Sequence, residues 1–308
     1  MIEGDTGDDR LGKNDRREVA RRKAQALRTE QKKKDRRRRV LLRGGIAIGV
    51  LAVISAVALI ITNTYLKPPT PGPLNMATDG ISIGHGLKAI TSGAVQPGGQ
   101  PLKTKSSTPD VIKISVYVDY QCKLCKQFET TNQKQLATWL KTGAITLEIH
   151  PLAIFDRNSV GSKYSTRSAN AAACVANYSP NNFFDFNALL FQKQPPEQSA
   201  GLTDAQLISL AKQAKVTHPA SITSCINDQS FKTWVNAATA RAATGPIPNS
   251  KLDKVTQTPT VIVDGVKYSG DFANANDFAL FVNTAAGNAF TEESTASPSP
   301  SPRATPAP

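Results

Sequence analysis

The chain has 308 residues, room for one or two domains with their own core, and its 37 Lys/Arg against 24 Asp/Glu leave a formal charge of +13. Most of that excess lies at the front: residues 1–43 hold 16 Lys/Arg and 8 Asp/Glu, a net of +8, leaving +5 for the rest, so the total is no sign of a basic nucleic-acid-binding domain. Four cysteines are too few for a disulfide-built mini-protein and point instead to redox chemistry, metal binding or one or two bridges.

Residues 1–43 read as a basic cytoplasmic segment. Arg16 to Arg39 permits helix but carries no sustained apolar stripe, which fits a solvated or lipid-surface helix. No aromatic residue is interleaved for base stacking, so anionic lipid headgroups, and no nucleic acid, are its expected partners. Residues 44–66 contain no charge, and Ile46 to Ile61 is almost wholly apolar, close to the ~20 residues that cross a bilayer as a helix. A cleaved signal peptide fits less well, because over forty residues precede the run and no clear small-x-small site follows it. The cluster Lys32 to Arg39, with Arg43, flanks one side and only Lys67 the other, so the amino terminus is expected inside and everything after Lys67 outside.

Residues 67–75 are proline-rich and read as a stiff spacer. One folded unit is expected over 76–288, and 289–308, rich in Ser, Pro, Thr and Ala, reads as a disordered tail. Within the unit, Val111 to Val118 is β-branched and reads as a buried strand, with Asp119 at its exposed end. A helix follows from Cys122 to Gly143, and Ala144 to His150 is a second strand stopped by Pro151. About 162–244 should form several helices. Thr260 to Gly270 reads as a hairpin around Asp264-Gly265, and a closing helix is expected from about Asn274 to Ala286.

The informative constellation is a strand running directly into Cys122-Lys-Leu-Cys125 at a helix start. Backbone N–H groups and the positive end of the helix dipole favour thiolate at Cys122, with Lys123 acting in the same direction, so Cys122 is the expected reactive sulfur. Cys125, one turn later on the apolar face, would be the shielded resolving thiol. Half a zinc site completed by Cys174, Cys225 or His150 is disfavoured, because a second closely spaced pair is missing, and no metal is expected. An inert structural disulfide seldom sits on a strand-to-helix turn with a charged neighbour.

These segments, Tyr117 to Glu129 and Tyr164 to Cys174, joined to Thr258-Pro259-Thr260 before an Asp-Gly hairpin, resemble membrane-anchored actinobacterial members of the DsbA-like class. The resemblance spans about Ile112 to Ala286. It implies an α/β thioredoxin-like fold with a helical insertion, behind one transmembrane helix. It also implies a thiol-disulfide oxidoreductase acting on exported cysteine-containing proteins without a cofactor, reoxidised by a membrane quinone-linked partner of the vitamin K epoxide reductase type. Reduction or isomerisation, for instance in cytochrome c maturation, and a non-catalytic envelope binding module on the same fold are the alternatives. The resemblance further implies a cis Pro259 against the cysteine pair, with the Thr258 backbone free to pair with an extended substrate. The chain departs from the wider pattern at Val116, where many relatives bury a carboxylate six residues before the first cysteine. Water, Glu129 or another group must then carry the proton of Cys125.

Cys174 and Cys225 fall in the helical insertion and read as a structural bridge, with a second redox pair or one reactive thiol as the alternative. His85 and His218 read as surface residues. His150 ends a strand, either near the site or as a satisfied strand-end histidine.

Overall fold

The computed structural model describes residues 70–103 and 111–295, together with 21–23, 29, 32–34 and 55. The chain divides into two units, Met1–Pro69 and Thr70–Pro308. The described positions of the first unit are helical, and among the described residues no helix is long and apolar enough to cross a membrane. The span expected at 44–66 lies outside them apart from Ser55, as do most of residues 1–43 and the tail after Thr295.

The second unit is built on a six-stranded sheet. Its strands are β1 (Ile81–Gly84), β2 (Lys88–Ala89), β3 (Ile112–Val118), β4 (Ile145–Pro151), β5 (Thr260–Val263) and β6 (Val266–Lys267), in the order β2-β1-β4-β3-β5-β6. Only β3 and β4 are parallel, Ser115 opposite Glu148 and Tyr117 opposite His150, as a crossover through helix requires. That crossover is α1 (Lys123–Thr142), closed at Gly143, whose φ of 77° suits a residue without Cβ and lets its N–H reach the Leu140 carbonyl. Alternate residues of β3 divide between two cores. Ile114, Val116 and Val118 join Phe128, Leu136 and Leu140 of α1, whereas Tyr117 joins Leu152, Ala242, Ile247 and Ile262 on the other face.

Between β4 and β5 lie α2 (Tyr164–Tyr178), α3 (Phe183–Gln192), α4 (Asp204–Gln213), α5 (Pro219–Asn227) and α6 (Lys232–Thr244), which form the helical insertion. α2 is almost wholly buried, and its run of alanines lets its neighbours approach closely. α4 starts in a reciprocal cap, Thr203 taking the Gln206 N–H and Gln206 the Thr203 N–H. The hairpin turns at Asp264 and Gly265, both at positive φ (43° and 82°), as a tight two-residue turn demands.

Two expectations are corrected, and two strands were not read. The spacer does not extend to residue 75: Gly72 donates to the Val95 carbonyl, Leu74 to the Asn177 side chain and the Asn75 amide to Ala176, so the chain is docked from Gly72 onward. The closing helix, α7, runs Ala275–Thr295 and enters the segment read as tail, because no proline interrupts it before Pro298. β1 and β2 escaped the sequence reading, being only four and two residues long.

Candidate active site

β3 delivers the chain into a turn at Tyr120-Gln121, and the Cys122 N–H closes that turn on the Asp119 carbonyl at 3.0 Å. Cys122 is then the N-cap of α1: its backbone is extended (φ −75°, ψ 118°) and its sulfur accepts the Cys125 N–H at 3.2 Å. The loop after α3 grips the same turn from outside. Gln194 Nε2 donates to the carbonyls of Tyr120 (3.0 Å) and Cys122 (2.9 Å), and Glu197 Oε1 accepts the Lys123 N–H at 3.1 Å. Gln121 Nε2 answers with bonds to the Asn158 and Ser199 carbonyls.

From the opposite side comes the segment before β5. The Thr258–Pro259 bond is cis, and the Thr258 carbonyl accepts the Cys122 thiol at 3.1 Å. Cys122 and Cys125 are both free thiols and both buried, at 3 % and 0 % exposure. Their acidities are split. The Cys125 thiol beside the Cys122 sulfur holds its pKa below the usual cysteine value; neighbouring Thr258 and the Cys125 N–H help, while burial and the Asp119 charge oppose. Burial first, then the neighbouring Cys122 sulfur, push Cys125 well above that value.

Two carboxylates are buried on the elements that carry the thiols. Asp119, expected at an exposed strand end, is instead fully buried: it accepts the N–H groups of Gln121 (2.9 Å), Ile154 (2.7 Å) and Phe155 (2.9 Å) and the Ser165 hydroxyl (2.7 Å). It thereby ties β3 to the loop after β4 and to the start of α2. Burial raises it to about 6 despite those four bonds. Glu129 follows Cys125 by four residues on the same buried face of α1. Asn187 of α3 donates to its Oε1 at 2.8 Å and accepts the Tyr120 hydroxyl at 2.9 Å, and burial raises Glu129 to about 7. Val116 is packed in the core. Neither the grip of Gln194 and Glu197 nor Asn187 was read from the sequence; the only signal was their position in the insertion.

Lys123 contributes its backbone N–H to Glu197, while its side chain is exposed. Cys174 and Cys225 form a disulfide between α2 and α5, remote in sequence from the thiol pair. His85 and His218 are exposed. His150 fits neither expectation: it is buried on the face of the sheet that carries Tyr117, away from α1, and its Nδ1 has no partner. Among the described residues no group of three or more His, Cys, Asp or Glu could hold a metal.

A thiol at a helix start with lowered pKa, a buried partner one turn on and a backbone carbonyl facing the first sulfur define a site for thiol-disulfide exchange. A thioredoxin family model matches residues 105–279, more than half of the chain, and the chain belongs to that family. It is similar to disulfide bond formation protein D of Bacillus subtilis (strain 168), 25% identical over 174 residues, which cover 56% of this chain and 71% of that protein. The oxidised DsbA of Mycobacterium tuberculosis is 27% identical with a TM-score of 0.52, over 71% of this chain and 100% of that one. The reduced disulfide bond oxidoreductase DsbG of Mycobacterium tuberculosis is 26% identical with a TM-score of 0.50, over 69% and 94%. The chain is accordingly a DsbA-like protein thiol-disulfide oxidoreductase.

Proposed function

We propose that this enzyme is a membrane-anchored oxidase that introduces disulfides into exported proteins. The split acidity of Cys122 and Cys125 carries the reading. In the oxidised enzyme a substrate thiolate attacks Cys122 Sγ, a substrate–Cys122 disulfide forms, and Cys125 leaves as a thiolate. Disfavoured in its buried setting, Cys125 takes a proton, with Glu129 as the nearest buried acid along α1. A second substrate thiolate then attacks the substrate sulfur of the mixed disulfide and releases Cys122 as the stabilised thiolate. Two substrate thiols are oxidised and the Cys122–Cys125 pair is reduced by two electrons. The Thr258 backbone, facing Cys122, is placed to pair with an extended substrate beside the reacting sulfur.

The apolar run at 44–66, with its basic flank, supports an anchor with the amino terminus inside and the enzyme outside. The Cys174–Cys225 bridge fits an extracytoplasmic, oxidising compartment, where such bonds persist. The electrons taken from substrate must leave, and a membrane quinone-linked oxidase of the vitamin K epoxide reductase type would share the plane of the anchor. Anionic lipids would hold the basic segment.

Turnover tests the reading. With glutathione disulfide as terminal oxidant, the chain should form disulfides in a reduced cysteine-containing protein, Cys122→Ser should not, and Cys125→Ser, which cannot form the disulfide that the substrate thiolate attacks, should lose most of the activity. Failure of the wild type to oxidise the substrate refutes the oxidase reading. For the topology, a reporter active only outside the membrane, fused after Thr295, should be active; activity of a cytosol-only reporter there refutes it.

A further inference from the structure

A cavity of about 210 Å³ lies on the face of the sheet opposite the thiols, bounded by β3, β4, α6 and the segment after it. Its walls are mostly apolar: Leu152, Ala238, Ala242, Pro246, Ile247 and Pro248. Thr78, Asp79, Gln100, Lys103, Tyr117 and Arg241 also line it, but among its lining residues only His150 has a buried side-chain polar atom without a hydrogen-bond partner. That ring stacks on Tyr117, with centroids 4.2 Å apart and planes 12° from parallel, and Gly80 packs so closely that a Cβ there would stand 2.6 Å from it. His150 Nε2 faces the Glu148 carboxylate at 3.6 Å, and in the neutral ring a proton on Nε2, toward that carboxylate, leaves Nδ1 an acceptor. Nδ1 is buried without a hydrogen-bond partner, in a residue only 3 % exposed that lines the cavity. A buried acceptor so placed calls for a donor.

Lys103 stands at the exposed rim of the cavity, and the charges buried around it are matched. Arg241 is held by both oxygens of Asp79, at 2.6 and 2.7 Å, and Glu148 by Lys113 at 3.3 Å and by the Thr78 hydroxyl. An ionic ligand would find no uncompensated buried counter-charge. The volume suits one ring: an apolar cavity of roughly 150 Å³ holds benzene, so this one has space for a ring and a substituent.

We propose that the cavity binds an uncharged, single-ring molecule carrying a hydroxyl, with the hydroxyl donating to His150 Nδ1 and the ring lying between the Tyr117–His150 stack and α6. The site is independent of the proposed redox function, since the thiols lie on the other face.

The test uses phenol and its methyl ether anisole, which keeps the ring and loses the donor, added to the full-length chain with 13C-labelled histidine. The chain has three histidines, so the His150 signal is assigned by its loss in His150→Phe. Phenol should move the His150 resonance saturably, with anisole about tenfold weaker, the worth of one hydrogen bond. Ala238→Phe, and separately Ala242→Phe, should fill the cavity and abolish the shift; the pair guards against one variant failing to fold. No saturable shift with phenol means a cavity for water only and overturns the proposal. Equal binding of anisole, or phenol binding that survives both fillings, overturns it too.

Discussion

Glu129 stands one helical turn beyond Cys125 on the buried face of α1, its carboxylate held by Asn187 Nδ2 at 2.8 Å. Burial raises its pKa to about 7, so below that pH it is protonated and, in the proposed relay, gives its proton to Cys125. Glu129→Gln should slow substrate oxidation by about tenfold or more at pH 6 and remove the decline in rate expected of the wild type above pH 7. A pH–rate profile identical to the wild type's would exclude the relay. Stability moves the other way. A carboxyl raised in the folded state favours folding below its unfolded value, near 4.5, and loses that advantage as pH rises through 7. The Gln variant should therefore match the wild type at pH 4 and exceed it at pH 8, by up to roughly 3 kcal/mol in urea unfolding.

Asp119 is the hub of the loop around the thiols. Asp119→Ala leaves three backbone N–H groups and the Ser165 hydroxyl without their acceptor, each costing ~1–3 kcal/mol when buried. We expect a loss of at least about 3 kcal/mol in urea unfolding, less than the sum because the four share one site. Because the Asp119 charge opposes the Cys122 thiolate, Cys122 should also alkylate at lower pH in the variant. Unchanged stability would mean that water replaces the carboxylate.

These two carboxylates mark what the sequence could and could not show. The strand into Cys122, the helix to Gly143 and the Asp264-Gly265 hairpin were legible because their signals are local: β-branching, apolar spacing and turn chemistry. Glu129 was legible as a candidate through its place four residues after Cys125. The burial of Asp119 was not, since it depends on Ser165 of α2 and on a loop some thirty-five residues further along. The same holds for Gln194 and Glu197, whose reach to the active-site turn exists only once the insertion folds over it. His150 was misread because a strand's last residues do not announce which face will be enclosed.

The Cys174–Cys225 bridge spans a sequence separation of 51. Chain-entropy reasoning assigns such a loop roughly 4 kcal/mol. The double Ser variant should unfold about 8–16 °C below the wild type while keeping thiol-disulfide exchange at Cys122. Mild reductant should open the Cys122–Cys125 disulfide first. Mass mapping that pairs Cys174 with either active-site cysteine would refute the assignment.

The two thiols should also alkylate unequally. Both are buried, so accessibility does not separate them strongly, but Cys122 favours thiolate and Cys125 resists it. Iodoacetamide should modify Cys122 first from mildly acidic to neutral pH, and Cys125 should react only after Cys122 is blocked or the protein unfolds. Equal rates at both would refute the assigned roles.

The last expectation concerns redox poise. A stabilised Cys122 thiolate favours the reduced enzyme and makes the disulfide more oxidising, the logic that separates DsbA near about −120 mV from thioredoxin near about −270 mV. Two charges at the start of α1 bear on it. The Lys123 ammonium helps the thiolate but is exposed and screened, whereas Glu197 places a carboxylate on the Lys123 N–H and draws on the same helix end that stabilises Cys122. The balance points to an intermediate potential. Glu197→Gln should shift it toward oxidising values by roughly 10–20 mV, the equivalent of a helix-end charge interaction, and Lys123→Glu should shift it toward reducing ones. Equilibration against glutathione measures all three proteins. A wild-type potential as low as thioredoxin's would assign the enzyme to disulfide reduction, and a Glu197→Gln shift toward reducing values would show that this carboxylate organises the turn more than it opposes the thiolate.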